Sequence, residues 1–250
     1  MTFPHAGQIE NGGAATAPAG LAAGLTATGW KRNRWIPVGV CCQNAAVQCK
    51  GHRTNPFGSF MSAPAVSPIH LVAVSGSVRR DGYTRRFLDL MIQMLERRPE
   101  VTVDCIDPGE FALAFPGEPE ALALEAKLVA RVAVADGILL STPEYHGSYS
   151  SVLKVLIDNM GYPSVMAGKP VSLLGIATGR LGAIKALEHL RSVCSHIGAI
   201  VLPYPVSVAE AHNKMDALGA CTDPDLIALM ENCAEQLVIY TRAHRPGGNG

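Results

Sequence analysis

The stretch ADGILLSTPEYHGSYSSVLKVLID, residues 135–158, decides how this chain folds. GILLST at 137–142 opens as an apolar run without alternation. A short run of this kind suits a strand covered on both faces, the condition of a parallel sheet. From Ser151 the pattern turns directly into helical spacing that lasts to about residue 160. Between strand and helix lie Pro143, Glu144, Tyr145, His146 and Gly147. Pro143 is expected to fix the chain direction just past the strand end, so that the backbone N–H and C=O groups of 144–147 face a flat polar edge. Gly147 permits close approach, Tyr145 and His146 offer ring surfaces beside a planar ligand, and a helix opening near Ser148 to Ser151 supplies further donors.

Outward from this stretch the same alternation repeats. IHLVAVSG (69–76), VTVDCID (101–107), VSLLGIAT (171–178) and AIVLP (199–203) are further strand candidates, and helical spacing covers 84–97, 119–135, 183–197 and 223–242. Five strands alternating with five helices predict one doubly wound α/β domain over 67–245. In the first helix Phe87, Leu88, Met91, Met94 and Leu95 form a core-facing stripe, and its methionines read as packing. In such a sheet, ligands bind beyond the carboxyl ends of the strands where strand order reverses. The loops to inspect are therefore SGSVRRDGYT (75–84), TPEYHGSYS (142–150) and ATGRLG (177–182).

In the first loop, Gly76 and Gly82 let the chain pass close to a bulky anion. Ser77 and Thr84 carry hydroxyls for phosphate oxygens, Arg79 a charge for a terminal phosphate, and the helix amino end adds free N–H groups. The loop holds neither G-x-x-x-x-G-K-[ST] nor G-x-G-x-x-G. It reads either as a phosphate cradle or as a solvated turn whose Ser and Thr cap the helix. A planar heterocycle with a phosphate tail fits this loop and the 143–147 loop at once.

Composition narrows the function. Of 250 residues, 48% are hydrophobic and 17% charged, with 21 Lys plus Arg against 21 Asp plus Glu, which argues against nucleic acid as a partner. No apolar run approaches the roughly 18 residues that span a bilayer, so no membrane partner is expected. Seven scattered cysteines read as reduced thiols of a cytoplasmic protein. Residues 1–66 hold five basic residues and one acid, are rich in Ala, Gly, Thr and Pro, and show no sustained period. They are expected to form a disordered or weakly ordered extension, and 246–250 a disordered tail. Met61 resembles a natural start, which would make 1–60 an upstream extension. Cys41, Cys42, Cys49 and His52 lack the paired spacing of a metal site, and no metal is expected.

GSVRRDGYT, ADGILLSTPEYHGSYSSVLKVLID, AGKPVSLLGIATG and LEHLRSVCSHIGAIVLP together resemble the NAD(P)H-dependent FMN reductase family of flavodoxin-like proteins, which includes flavin, quinone, azo-dye and chromate reductases. The resemblance covers 69 to about 240, and the Pro-Glu-Tyr loop followed by Leu-Lys is its most specific element. It implies a flavodoxin-like three-layer sandwich: a five-stranded parallel sheet with helices on both faces. It also implies FMN, with the phosphate at Gly76, Ser77, Arg79, Gly82, Tyr83 and Thr84, and the ring against Pro143, Glu144, Tyr145, His146 and Gly147. Ala177, Thr178 and Gly179 would lie near the ring's polar end. Gly82 stands where many relatives have Ser, which removes a hydroxyl worth on the order of 1 kcal/mol, and Val155 stands where many have Asn.

The expected function is hydride transfer from NADPH or NADH to FMN and on to a small acceptor such as free flavin, a quinone or an azo compound. The alternative is a flavodoxin-type electron carrier or a non-catalytic flavin-binding protein. Hydride transfer needs stacking and orientation more than an acid or base, so no catalytic side chain is expected. AGKPVSLLGIATG with the long 203–216 loop is similar to the flavin reductase partners of flavin-dependent monooxygenases. Relatives assemble, which implies a homodimer or homotetramer. Arg180 reads either as a contact to donor phosphates or as a solvated loop residue, Lys154 and Asp158 as a helical pair or Asp158 instead as part of a subunit contact, and Cys194 as a small buried hydrophobe.

Overall fold

The computed structural model describes residues 68–245. The expected extension 1–66 with Cys41, Cys42, Cys49 and His52, and the tail 246–250, lie outside the described residues. Seven strands and five helices follow in the order β1 (Ile69–Ser75), α1 (Tyr83–Glu96), β2 (Val101–Ile106), α2 (Ala121–Ala133), β3 (Gly137–Tyr145), β4 (Ser148–Tyr149), α3 (Ser151–Asp158), β5 (Pro170–Ile176), α4 (Ile184–His196), β6 (Ile200–Val201), β7 (Val206–Val208) and α5 (Pro224–His244).

The sheet runs β2-β1-β3-β5-β6, all parallel, with β7 also on β5 and the short β4 antiparallel to β3. Alternation along each strand divides the core in two. Leu71 and Ala73 of β1, Leu139 of β3, and Leu174 and Ile176 of β5 pack with α1 and α5. Val72, Val74, Ile138, Leu140, Val171 and Leu173 pack with α2, α3 and α4 on the other face. Both faces are covered, which is why these strands are apolar throughout. The expected three-layer flavodoxin-like sandwich with five sheet positions is the fold of the chain.

Two elements depart from expectation. The fifth position is split into β6 and β7, because Pro203 and Pro205 bring no N–H to a ladder and Tyr204 between them has φ +62°. The strand expected to end before Pro143 instead runs to Tyr145, with Pro143 opposite Ile176 of β5. On its other side, pairing with β1 stops at Ser141, so Pro143 sits where the strand has an open edge and a missing N–H is tolerated. The helix expected from Ser151 begins there, and the short β4 precedes it.

Candidate functional site

β1 leads outward to β2 on one side, whereas β3 lies on the other, so strand order reverses between β1 and β3. Beyond their carboxyl ends is a cleft of about 630 Å³, within the usual size range of small-molecule sites. It is lined from all three candidate loops. Ser77, Arg79, Gly82, Tyr83 and Thr84 come from the first, Pro143, Glu144 and Tyr145 from the second and Thr178 from the third. Gly76, His146, Gly147, Ala177 and Gly179 do not line it.

The first wall is built for an anion. Ser75 Oγ donates to Ser77 C=O (3.2 Å), and Ser77 Oγ accepts from Arg79 N–H (3.2 Å), which folds the loop back on itself. α1 then opens at Tyr83 with Gly82 as its N-cap, no side chain capping it and no acid in its first turn. No capping side chain and no first-turn carboxylate takes the positive end of the helix dipole from an external anion. Ser77 and Thr84, the expected hydroxyls, are almost buried at the base of this wall.

The second wall is a hairpin. Glu144 pairs with Tyr149 and Tyr145 with Ser148, leaving His146 and Gly147 as a two-residue turn. Both have positive φ, +51° and +77°, which matches the twist of paired strands. Gly147 is therefore required by the turn, and its N–H donates to the Glu144 carboxylate. His146 occupies the turn apex away from the cleft lining. α4 props the hairpin: His189 Nδ1 lies 3.1 Å from Ser148 Oγ. Burial pushes the Tyr149 phenol above its ordinary value.

At the third wall, Ala177 is tied behind the cleft. Its N–H donates to Val208 C=O (2.9 Å) and its C=O accepts from Ala211 N–H (3.0 Å). Thr178 faces the cleft, and Gly179 and Arg180 are exposed beyond it. Among the other expected features, Lys154 and Asp158 form an ion pair (2.7 Å). Cys194 is fully buried, with its thiol pushed up to about 12 by burial.

Four further residues line the cleft: Arg80, Asp81, Arg86 and Ile176. Arg80 and Asp81 sit inside the first loop. Arg86 follows Tyr83 by three residues, on the same side of α1, and its guanidinium lies 5.9 Å from the centre of the Tyr83 ring. That spacing was a readable signal, whereas Ile176, the end of an apolar run, carried none. Three arginines against Asp81 and Glu144 leave the cleft lining cationic. Among the described residues no cluster of three or more His, Cys, Asp or Glu could hold a metal ion. The site can hold a flat ring and a phosphate at fixed separation, and it presents no nucleophile paired with a base.

Residues 69–213 match the family model of NADPH-dependent FMN reductases. The chain is similar to an NADPH azoreductase of Bacillus sp., 31% identical over 177 residues that cover 70% of this chain and 94% of that protein. It is also similar to a 2-hydroxy-1,4-benzoquinone reductase of Burkholderia sp., 26% identical over 188 residues that cover 71% of this chain and 98% of the other. Its fold is similar to that of the flavoenzyme NAD(P)H:(acceptor) oxidoreductase FerB of Paracoccus denitrificans, with a TM-score of 0.59, 22% identity and coverage of 70% of this chain and 98% of that one.

Proposed function

Since the chain belongs to the NADPH-dependent FMN reductase family, we propose that its cleft holds FMN with the phosphate at the opening of α1 and the ring against the Pro143–Tyr145 wall. The protein is an FMN-dependent NAD(P)H oxidoreductase that delivers electrons to a small acceptor. FMN, when bound, would supply the redox chemistry, hydride acceptance from the nicotinamide and electron delivery to the acceptor. The residues bind and orient. Arg79 and the first amides of α1 hold the phosphate, with Ser77 and Thr84 behind them. The backbone of 143–145 meets the polar edge of the ring, and the hydrogen bond from Gly147 N–H holds the Glu144 side chain back. Thr178 closes the end of the cleft. Among the described residues no helix is long and apolar enough to cross a membrane.

The observation that carries this reading is the pairing, across one cleft, of an uncapped helix amino end beside Arg79 with a rigid hairpin wall. Quinones and azo compounds are the proposed acceptors, in keeping with the activities named for the relatives; a flavin-dependent monooxygenase drawing on reduced flavin is a proposed partner. We place the enzyme in the cytoplasm as a homodimer or homotetramer. Tyr145, Leu181 and Ile184, on neighbouring segments at the ring side, are exposed by 46%, 86% and 56%, which favours a subunit contact there. Arg180, exposed past β5, is the proposed contact to the donor's phosphates.

Steady-state oxidation of NADPH and NADH by FMN-loaded protein, followed at 340 nm with a benzoquinone, an azo dye or free FMN, tests this. Turnover that needs both FMN and acceptor is expected. FMN binding with no turnover on any acceptor would move the protein to the carrier reading.

A further inference from the structure

The two walls that meet opposite ends of the ligand are joined behind the cleft by buried hydroxyls. Ser150, 1% exposed, donates through Oγ to the Gly76 carbonyl at 2.6 Å, a bond between residues 74 apart in sequence. The same oxygen accepts from Leu153 N–H at 3.1 Å and caps α3. The Ser150 N–H donates to Thr142 Oγ1 at 3.0 Å, and that hydroxyl, fully buried, donates to the Pro143 carbonyl at 2.9 Å. Gly76 N–H completes the set by donating to Ser141 C=O at 2.7 Å. Both backbone polar groups of Gly76 are therefore held from the β3 side.

Contact there is too close for any side chain. A Cβ at Gly76 would lie 2.5 Å from the Ser141 carbonyl oxygen and 3.2 Å from Ser150 Oγ. Gly76 begins the loop assigned to the phosphate, and Thr142 and Pro143 form the base of the wall assigned to the ring. The Ser150 hydroxyl thus supplies the side-chain link between them, beside the backbone bond from Gly76 to Ser141. It does so without lining the cleft itself.

We propose that Ser150 is a positioning residue, which fixes the phosphate loop against the ring wall at the separation that one FMN spans. This rests on the assignment of FMN to the cleft. A ligand that engages both walls gains from their being fixed beforehand, whereas a ligand that engages one wall gains little. FMN engages both. Riboflavin has the same ring and no phosphate.

The test compares dissociation constants for FMN and riboflavin, read by flavin fluorescence quenching, in wild type, Ser150→Ala and Ser150→Cys. The thiol keeps the volume with a weaker donor, so this variant carries the test if the Ala protein does not fold. The expected result is a loss of FMN affinity of about tenfold in Ser150→Ala, the worth of one hydrogen bond. Riboflavin affinity should stay within about twofold, Ser150→Cys should lie between, and Ser150→Thr, which keeps the hydroxyl, should recover FMN binding. Equal losses for both ligands would mean general damage to the fold and would overturn the proposal. So would unchanged FMN affinity in the Ala variant. Wild-type protein that binds neither flavin would overturn the FMN assignment, and the positioning role with it.

Discussion

Arg79 stands beside an open helix end, and that pairing sets the cost of losing it. A charge-assisted bond to phosphate is worth about 2 kcal/mol, so Arg79→Ala should weaken FMN about 30-fold by fluorescence titration and leave riboflavin almost unchanged. Equal effects on both would place the phosphate elsewhere. Ser141 makes an opposite case: its Oγ is buried with no hydrogen-bond partner among the described residues. Ser141→Ala removes an unsatisfied hydroxyl and should raise stability by about 1 kcal/mol in urea unfolding; a fall would reveal a partner that forms in solution. At this scale the sequence was legible where chemistry and position coincide. Ser77, Arg79, Thr84 and Tyr145 line the cleft as their types suggest. Gly147 and Gly76 were legible as glycines of need but not in their purpose. Gly147 serves a turn at φ +77° and Gly76 a close crossing under Ser141, because a glycine in a sequence does not say which backbone approaches it.

Among elements, α2 and β2 are held together by Arg131. It donates through Nε to Asp104 Oδ2 at 2.7 Å, through a second nitrogen to Asp104 Oδ1, and to the Cys105 carbonyl at 2.8 Å. The hydrogen bond from this guanidinium holds the Asp104 carboxyl below its ordinary value. Unfolded, the carboxyl titrates near the usual value of about 3.9. Its stabilising contribution is therefore present above about pH 4 and disappears as pH falls through the lower folded value. Asp104→Asn should cost on the order of 1 kcal/mol at pH 7, reduced by the partial exposure of both partners. Melting curves should show the gap from wild type closing below about pH 4; a gap independent of pH would contradict the linkage. Helices were read from the sequence nearly to their ends, since a stripe such as Phe87, Leu88, Met91, Met94 and Leu95 has one solution. The 203–216 segment was not, because β7 is only Val206–Val208 and its pairing with β5 is a long-range contact that leaves no local period. The β3–β4 hairpin was hidden for a related reason: His-Gly is an uncommon turn pair, and the helix pattern from Ser151 masked a two-residue strand.

For the whole molecule, the two core clusters run, among the described residues, from Ile69 to Tyr240, and the family match lies within 69–213. Deleting residues 1–60 should therefore leave the melting temperature and FMN affinity unchanged; aggregation or loss of flavin would show that the segment belongs to the working protein. Light scattering coupled to size exclusion should give a mass of two or four chains of 26.4 kDa, and a monomer would contradict the proposed assembly. The fold was legible because five apolar runs alternating with helices leave few arrangements that cover both faces of a sheet. The proposed assembly was not, since in a single chain Tyr145, Leu181 and Ile184 are simply exposed. The central claim, that this cleft holds FMN for reduction by NAD(P)H, is tested most directly by an anaerobic absorbance titration of FMN-loaded protein with NADPH and then NADH. The account predicts loss of the flavin band near 450 nm in proportion to donor added; a bound flavin whose band persists under excess of both donors would contradict it.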